Sequence, residues 1–375
     1  MIVQHPLLVK ININNCNNIH EAYTRILDLG LNAKIHNTTI IVKYPKTKKY
    51  IDADYILQSR GIIIDFTNKS VINSSLHGCL NIEQFYDKIL NWNSIVIEEC
   101  LDGTLINLYY HDKWKLSTKF SIDTEESKFK SHKTFKELFN EINSIDFDIL
   151  DKSYTYSFLL QHTEIRNVSL VNVNKLYHLE STNNITGEKV EITIPNIEKP
   201  KLLKYRDIIN ILNVNNLSEL IIKTNNLPWT NPGYILYSED RKYRSKIENP
   251  NFIKVLNLVK DQSNLKFLIL ESLYKKCNIK DLLKYYPEYS TKAVEVNTDF
   301  NNYAIKLHKL YIKCKVNNVF VDLEKNFKKT ICDVHNLFKD ERKKNNQSFK
   351  ITYNHVCNIL RNYDTAYLYS IIYPK

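Results

Sequence analysis

Glycine is nearly absent from this chain: there are six in 375 residues, at Gly30, Gly61, Gly78, Gly103, Gly187 and Gly233, where average usage is about 7%. That scarcity excludes Walker-type and dinucleotide-binding loops, which need two or three glycines within about eight positions. Collagen-like, linker and low-complexity architectures fall with them. The remainder is ordinary for globular proteins, with 43% hydrophobic and 25% charged residues, and the length is enough for two or three domains with a sizeable core.

Charge is unevenly placed. The formal net charge is +11, and residues 1–250 hold 30 basic and 29 acidic side chains against 22 and 12 in residues 251–375. A basic last third suggests a polyanionic partner, nucleic acid before an anionic membrane surface. The frequent Asn, Ile, Lys and Tyr are what an A+T-rich genome, such as that of a virus, would encode. Seven scattered cysteines with no Cys-x-x-Cys pair read as reduced thiols. The first residues lack a charged segment followed by an apolar one, and no apolar run approaches a spanning helix, so the expectation is a cytoplasmic protein without a membrane partner.

Residues 18–30 carry an Asn cap, helical spacing and a closing glycine, hence a helix. Alternating patterns predict strands at 39–44, 61–66, 94–99, 104–110 and 113–118, the last two forming a hairpin, and again at 154–160, 168–173, 176–179 and 189–194. Helices are expected at 82–90, 135–142, 207–212 and 218–222. From Phe252 the period becomes helical, at 252–259, 265–274, 279–285, 303–315, 320–337 and 351–363. Composition, charge and period shift together near residue 250, so the expected division is residues 1–250 and 251–375.

Three glycines lie in distinctive strings: Arg60-Gly61-Ile62-Ile63-Ile64-Asp65, Cys100-Leu101-Asp102-Gly103-Thr104, and Asn231-Pro232-Gly233-Tyr234. Between and after them come Trp114-Lys115-Leu116-Ser117-Thr118-Lys119, Phe158-Leu159-Leu160, Glu164-Ile165-Arg166-Asn167-Val168 and Lys246-Ile247-Glu248. In this order they resemble the phage-type RNA ligase 1 family of covalent nucleotidyltransferases, and Leu282-Leu283-Lys284-Tyr285-Tyr286-Pro287-Glu288 is similar to a segment of such ligases' helical domain. The resemblance implies an α+β fold: a nucleotidyltransferase domain of antiparallel sheets around a nucleotide groove, then an all-α basic domain. It also implies ATP, Mg and RNA as ligands, with Arg60, Asp102, Gly103, Ser117, Lys119, Arg166 and Lys246 as nucleotide- or phosphate-binding positions.

The family's chemistry uses a lysine that attacks the α-phosphate of ATP, and that position is Cys100. A glutamate that contacts the ribose is replaced by Leu159, and one that helps place a divalent cation by Pro232. Of two lysines that neutralise phosphate charge, Lys246 remains and the second is Glu248. Magnesium needs oxygen ligands, and phosphoryl transfer needs compensating positive charge. The expectation is therefore a scaffold that has lost adenylyl transfer and binds RNA or a protein partner, with no metal site. An active RNA ligase with a relocated nucleophile, Lys113, Lys115 or Lys119, is one alternative, and a structural or virion protein keeping only the fold is another. Cys100 itself reads as a buried small residue. Adjacent Glu98 and Glu99 face opposite sides of a strand and cannot act as one pair. Cys332, His335, His355 and Cys357 resemble a zinc set, but His-x-Cys on a helix points its side chains apart, so the reading is against metal. The many tyrosines of the last third read as core filler before base-stacking platforms.

Overall fold

The computed structural model describes residues 4–44, 54–89, 92–129, 131–204, 213–214, 216–259, 262–274, 279–344 and 348–374. The helix expected at 207–212 and Cys277 lie outside the described residues. The chain forms two compact units, Met1–Leu256 and Asn257–Lys375.

The first unit is built on antiparallel strands: β1 (Asn32–His36), β2 (Thr39–Lys43), β3 (Arg60–Asp65), β4 (Ser70–Asn73), β5 (Val96–Glu99), β6 (Thr104–His111), β7 (Lys113–Ser117), β8 (Tyr154–Gln161), β9 (Lys175–Asn183), β10 (Lys189–Val190), β11 (Leu202–Lys204), β12 (Gly233–Tyr237) and β13 (Arg244–Glu248). They form three sheets, in the orders β1-β2-β3-β4, β10-β9-β8-β6-β7 and β11-β5-β12-β13. One face of the first sheet buries Ile40, Val42, Ile62 and Ile64 with Leu7, Ile11, Ala22 and Ile26 of helices Pro6–Ile11 and Ile19–Asp28. Asn18 caps the second of these by accepting from the Glu21 amide at 3.0 Å, which satisfies one of the amides a helix start leaves open. The opposite face meets β6 through Ile41, Ile63 and Tyr109.

The second sheet packs Ile106, Leu108, Phe158 and Leu160 on Phe135, Leu138 and Phe139 of helix Phe135–Asn140. Its other face carries, beside Tyr109, a buried polar row. Asn107, Ser117 and Ser157 lie side by side in register, and Asn107 Oδ1 accepts from Ser157 Oγ at 2.9 Å and Ser75 Oγ at 3.3 Å. The third sheet buries Ile97, Tyr234, Leu236 and Ile247 with Phe85 and Leu220 of helices Ile82–Lys88 and Leu217–Asn225. Its remaining face carries the candidate site.

The second unit is helical: Leu265–Tyr274, Ile279–Tyr285, Ser290–Tyr311, Lys325–Lys343, Tyr353–Asn362 and Thr365–Ile372. The long central helix buries Val296, Phe300, Ala304, Leu307 and Tyr311, a 3–4 spacing that forms one apolar stripe. Tyr274 stacks on Phe300 at 4.1 Å and Tyr303 on Phe327 at 4.8 Å. The hydroxyls of Tyr274, Tyr353, Tyr363 and Tyr373 donate to Asn297, Asn301, Asp333 and Asp299. These rings therefore serve internal packing.

Several local expectations are corrected. Residues 168–173 alternate in hydropathy yet form no strand, because the Asp102 carboxylate takes the amides of Val168 and Ser169 at 2.9 and 2.8 Å, and Leu170 and Val173 stay exposed. The strand expected through 194 stops at Val190. The helix expected from 303 begins at Ser290 and ends in a π-turn, Ile312–Val316. That expected from Phe320 begins at Lys325, leaving Phe320 in an exposed connection.

Candidate functional site

Register places the site. Glu98 pairs with Ile235, which pairs with Lys246; Tyr237 pairs with Arg244, and Gly233 with Glu248. Directly opposed and alternate residues share a face. One face of β5-β12-β13 therefore carries Glu98, Tyr237, Arg244, Lys246 and Glu248, and Cys100 continues it two residues beyond Glu98, its amide donating to the Gly233 carbonyl at 3.1 Å. Glu99 points to the other side and accepts from the Lys201 amide at 3.0 Å.

Gly233 allows the strands to close here. Its φ is +114°, and a Cβ would stand 2.0 Å from the Ile247 carbonyl oxygen, so no other residue fits. Pro232 beside it is buried and accepts from the Asn249 amide at 3.1 Å.

Cys100 is half-buried, and burial pushes its thiol up to about 11, against the opposing pull of Lys246. At neutral pH it is a protonated thiol, a weak nucleophile. Lys246 is partly buried, which works against its charge, but the Glu248 carboxylate holds the ammonium above its usual value. Its Nζ lies 3.4 Å from Glu248 Oε1. The retained lysine is thus a paired cation.

The other expected positions divide. Asp102 is spent on the amides of Val168 and Ser169, and its carbonyl accepts from Gln161 Nε2 at 2.7 Å. Gly103 lies so close to β8 that a Cβ would meet Leu159 Cγ and the Leu160 carbonyl oxygen at 2.8 Å; Leu159 fills this space and is buried. Ser117 is buried and donates to Asn73 Oδ1 at 3.4 Å. Arg166 Nε donates to the Val168 carbonyl at 2.9 Å. Lys119 is exposed, with its Nζ 4.6 Å from the Phe120 ring centre. Lys113 pairs with Glu125 at 3.7 Å, and Lys115 Nζ lies 3.5 Å from His111 Nδ1. Neither Leu159 nor Pro232 offers a side-chain oxygen, so these positions do not fit a magnesium ion.

Arg60 begins β3 with a buried Nε that has no hydrogen-bond partner. Burial, then the charge of Arg244, lowers its pKa. Arg244 itself is buried, its Nε 3.4 Å from the Gly78 carbonyl oxygen.

Sequence reasoning missed Arg244 and the ionic layer around it. Lys189 Nζ pairs with Glu180 Oε2 at 2.8 Å, and Arg241 Nη2 with Glu98 Oε2 at 3.5 Å. The Tyr237 hydroxyl donates to Glu98 Oε1 at 3.4 Å, and the Arg241 guanidinium stacks 4.4 Å from the Tyr237 ring centre. Burial pushes the Glu98 carboxyl up to about 7 despite Arg241 and Arg244. Glu180 is buried too, yet Lys189 and Arg244 hold its carboxyl below the usual range. Glu98, His178, Glu180, Lys189 and Arg241 line a cavity of about 50 Å³, room for water. The alternation of Arg244 with Lys246 was the one available signal; nothing in the sequence sets Glu180 opposite them.

Among the described residues, the group of metal-capable donors that converges is Glu141, His162 and Glu164, not the Cys332 set. Lys133 Nζ stands among its carboxylates, 2.7 Å from Glu141 and 2.6 Å from Glu164.

No family model matches the chain, and no curated protein does. Among solved structures it is similar to a putative ATP-dependent DNA ligase from Aquifex aeolicus, with 14% identity and a TM-score of 0.39, over 74% of this chain and 71% of that one. It is also similar to an archaeal ATP-dependent RNA ligase in two forms. One has 9% identity and a TM-score of 0.42 over 71% and 68% of the two chains; the other has 10% and 0.39 over 74% and 71%. No described helix is long and apolar enough to cross a membrane.

Proposed function

We propose that this chain is a ligase-like RNA-binding protein that no longer transfers adenylate. The observation that carries the reading is the state of the nucleophile position: Cys100 holds its proton, raised to about 11 by burial. Its basic neighbour, Lys246, is a charged partner of Glu248. Phosphoramidate formation needs an unprotonated amine aimed at the α-phosphate, and among the described side chains of this face the amine beside Cys100 is the paired Lys246. Arg60, Arg244 and Lys246 are suited to meeting a phosphate, since Arg60 keeps an unused buried donor and guanidinium forks match phosphate oxygens. Residues 251–375, which carry nearly all the excess positive charge, supply the polyanion-binding surface.

The alternative, an active ligase with a relocated lysine, is favoured by one observation. Lys43, opposite Arg60 in register, has its ammonium destabilised by burial and by Lys34 and Lys119. Intact-mass measurement after incubation with ATP and Mg²⁺ or Mn²⁺ separates the two. The proposed function expects no AMP adduct; an adduct on Lys43 or any other lysine overturns it. Salt-sensitive binding of single-stranded RNA by the full chain tests the other half, and no binding at low salt would leave only a structural scaffold.

A further inference from the structure

Within the helical unit, the central helix and the turn that ends it present a surface that the core does not use. Asn302, Ile305, Lys306, Lys309, Leu310 and Lys313 line an open groove of about 300 Å³. Their spacing of three and four residues is that of a single helix face. Ile305 is 43% exposed. Lys306 pairs with Glu324 at 3.0 Å, but Lys309, Lys313 and Lys315 pair with no described carboxylate. The helix then widens into the π-turn Ile312–Val316, a feature frequent at functional sites. The turn exposes Val316, and the connection after it exposes Val319 and Phe320; at 93%, Phe320 is the most exposed large hydrophobic among the described residues.

We propose that this surface, the Lys309–Lys313 row with Phe320 at its end, is where the protein holds single-stranded RNA. The inference rests on the RNA-binding reading above and names its surface. Successive lysines along the helix rise about 4.5 and 6 Å, a spacing that lets each meet its own phosphate along a stretched strand. The groove floor of Ile305 and Leu310 accepts a base plane, and the amide of Asn302 can hydrogen-bond a base edge. Phe320 offers a bare ring for stacking, the sequence-tolerant contact of single-strand binders.

Charge distinguishes this occupant from an anionic lipid surface. Asp322 and Glu324 follow Phe320 closely, so seating that ring in a headgroup layer would press two carboxylates against lipid phosphates. A strand lying on Lys309 and Lys313 meets the lysines that have no described carboxylate partner, while Glu324 is already paired with Lys306 at 3.0 Å. Tyr274, Phe300, Tyr303, Tyr311, Phe327, Tyr353, Tyr363 and Tyr373 are engaged in the packing described above, whereas Phe320 is 93% exposed and open to a base.

The test uses the full chain and a fluorescein-labelled 20-mer oligouridylate, with affinity measured by anisotropy from 50 to 200 mM salt. Lys309→Ala/Lys313→Ala should weaken binding about tenfold at low salt and reduce the salt slope by about 1.4. Phe320→Ala should weaken it about fivefold or more with the slope unchanged. A Lys223→Ala control, on an exposed helix position of the first unit, should bind as the unmodified chain does. Circular dichroism checks that each variant is folded. If the unmodified chain binds RNA and the lysine and Phe320 variants bind equally well, this surface is overturned while the RNA-binding reading stands. If the unmodified chain does not bind at 50 mM salt, both fall. Lysine- and Phe320-dependent binding to phosphatidylserine vesicles without RNA binding would assign the surface to lipid and overturn the proposal.

Discussion

The two units handle charge in opposite ways. In the strand-rich unit, Glu98, Glu180 and Arg244 are buried between sheets, and Arg60, Lys189, Arg241 and Lys246 are partly buried around them. In the helical unit, Lys306, Lys309 and Lys313 stand exposed along one side of the central helix and its closing turn, and Lys315 is exposed in that turn. Charge taken out of water must be matched by counter-charge and hydrogen bonds, so the first set constrains structure and moves little. Exposed charge costs little to keep and remains available to a partner. The contrast places buried, paired charge in the first unit and solvent-exposed charge in the second, although the nucleotide-binding expectation rested on the first.

The sharpest way to break this contrast is at the strand closure that supports the buried layer. Gly233→Ala sets a Cβ against the Ile247 carbonyl in a left-handed backbone region and should cost more than about 4 kcal/mol, seen as loss of the cooperative melt or a sharply lowered midpoint. Retention of a near-normal melt would show that this edge is not under constraint. Glu180→Gln should cost about 3 kcal/mol, because it leaves Lys189 and Arg244 without their buried counter-charge; denaturant titration measures it.

Glu98 gives the next largest effect and a direction with pH. Its carboxyl is raised from 4.5 to about 7 in the fold, first by burial. The stability this contributes is full below about pH 4.5 and is lost as pH rises through about 7. Glu98→Gln should therefore gain on the unmodified chain by about 1–3 kcal/mol between pH 4.5 and 8. Parallel stability curves would show that the carboxyl does not titrate there.

Thiol chemistry offers a gentler test. Exposed Cys332 should alkylate at least about tenfold faster than Cys100 at pH 7.5, since Cys100 is raised to about 11 by burial; peptide mass mapping reads the order, and reversal would reopen Cys100 as a nucleophile. The smallest effect is on the helical side, where Lys309→Ala should leave stability within about 0.5 kcal/mol. A larger loss by thermal melt would mean that its charge is structural after all.

The β6–β7 hairpin and helix Ile19–Asp28 were legible because local rules suffice: alternation around Asp112, whose φ is 63°, and an Asn cap before an amphipathic run. Residues 168–173 misled because a side chain far away in sequence, Asp102, claims the backbone amides that a strand would need. The first half of helix Ser290–Tyr311 was missed because Thr291, Val294, Asn297 and Thr298 weaken its local preference, while burial of Ala293, Val296 and Phe300 restores it. In the site, Cys100, Leu159, Pro232 and Glu248 could be read as departures from a pattern. Glu98, Glu180 and Arg244 could not, because they come from strands whose neighbours are set by sheet order.

By itself the sequence determined which residue types stand in its distinctive strings: a thiol at Cys100, apolar side chains at Leu159 and Pro232 and a carboxylate at Glu248, where the resemblance led to the expectation of an amine, two carboxylates and a second cation. It also determined that excess positive charge gathers in the last third. Only tertiary structure decided which charges are buried and which are free, because burial depends on the register of strands and the packing of helix faces. A side chain's type fixes what it can do in water, and its neighbours decide whether water reaches it.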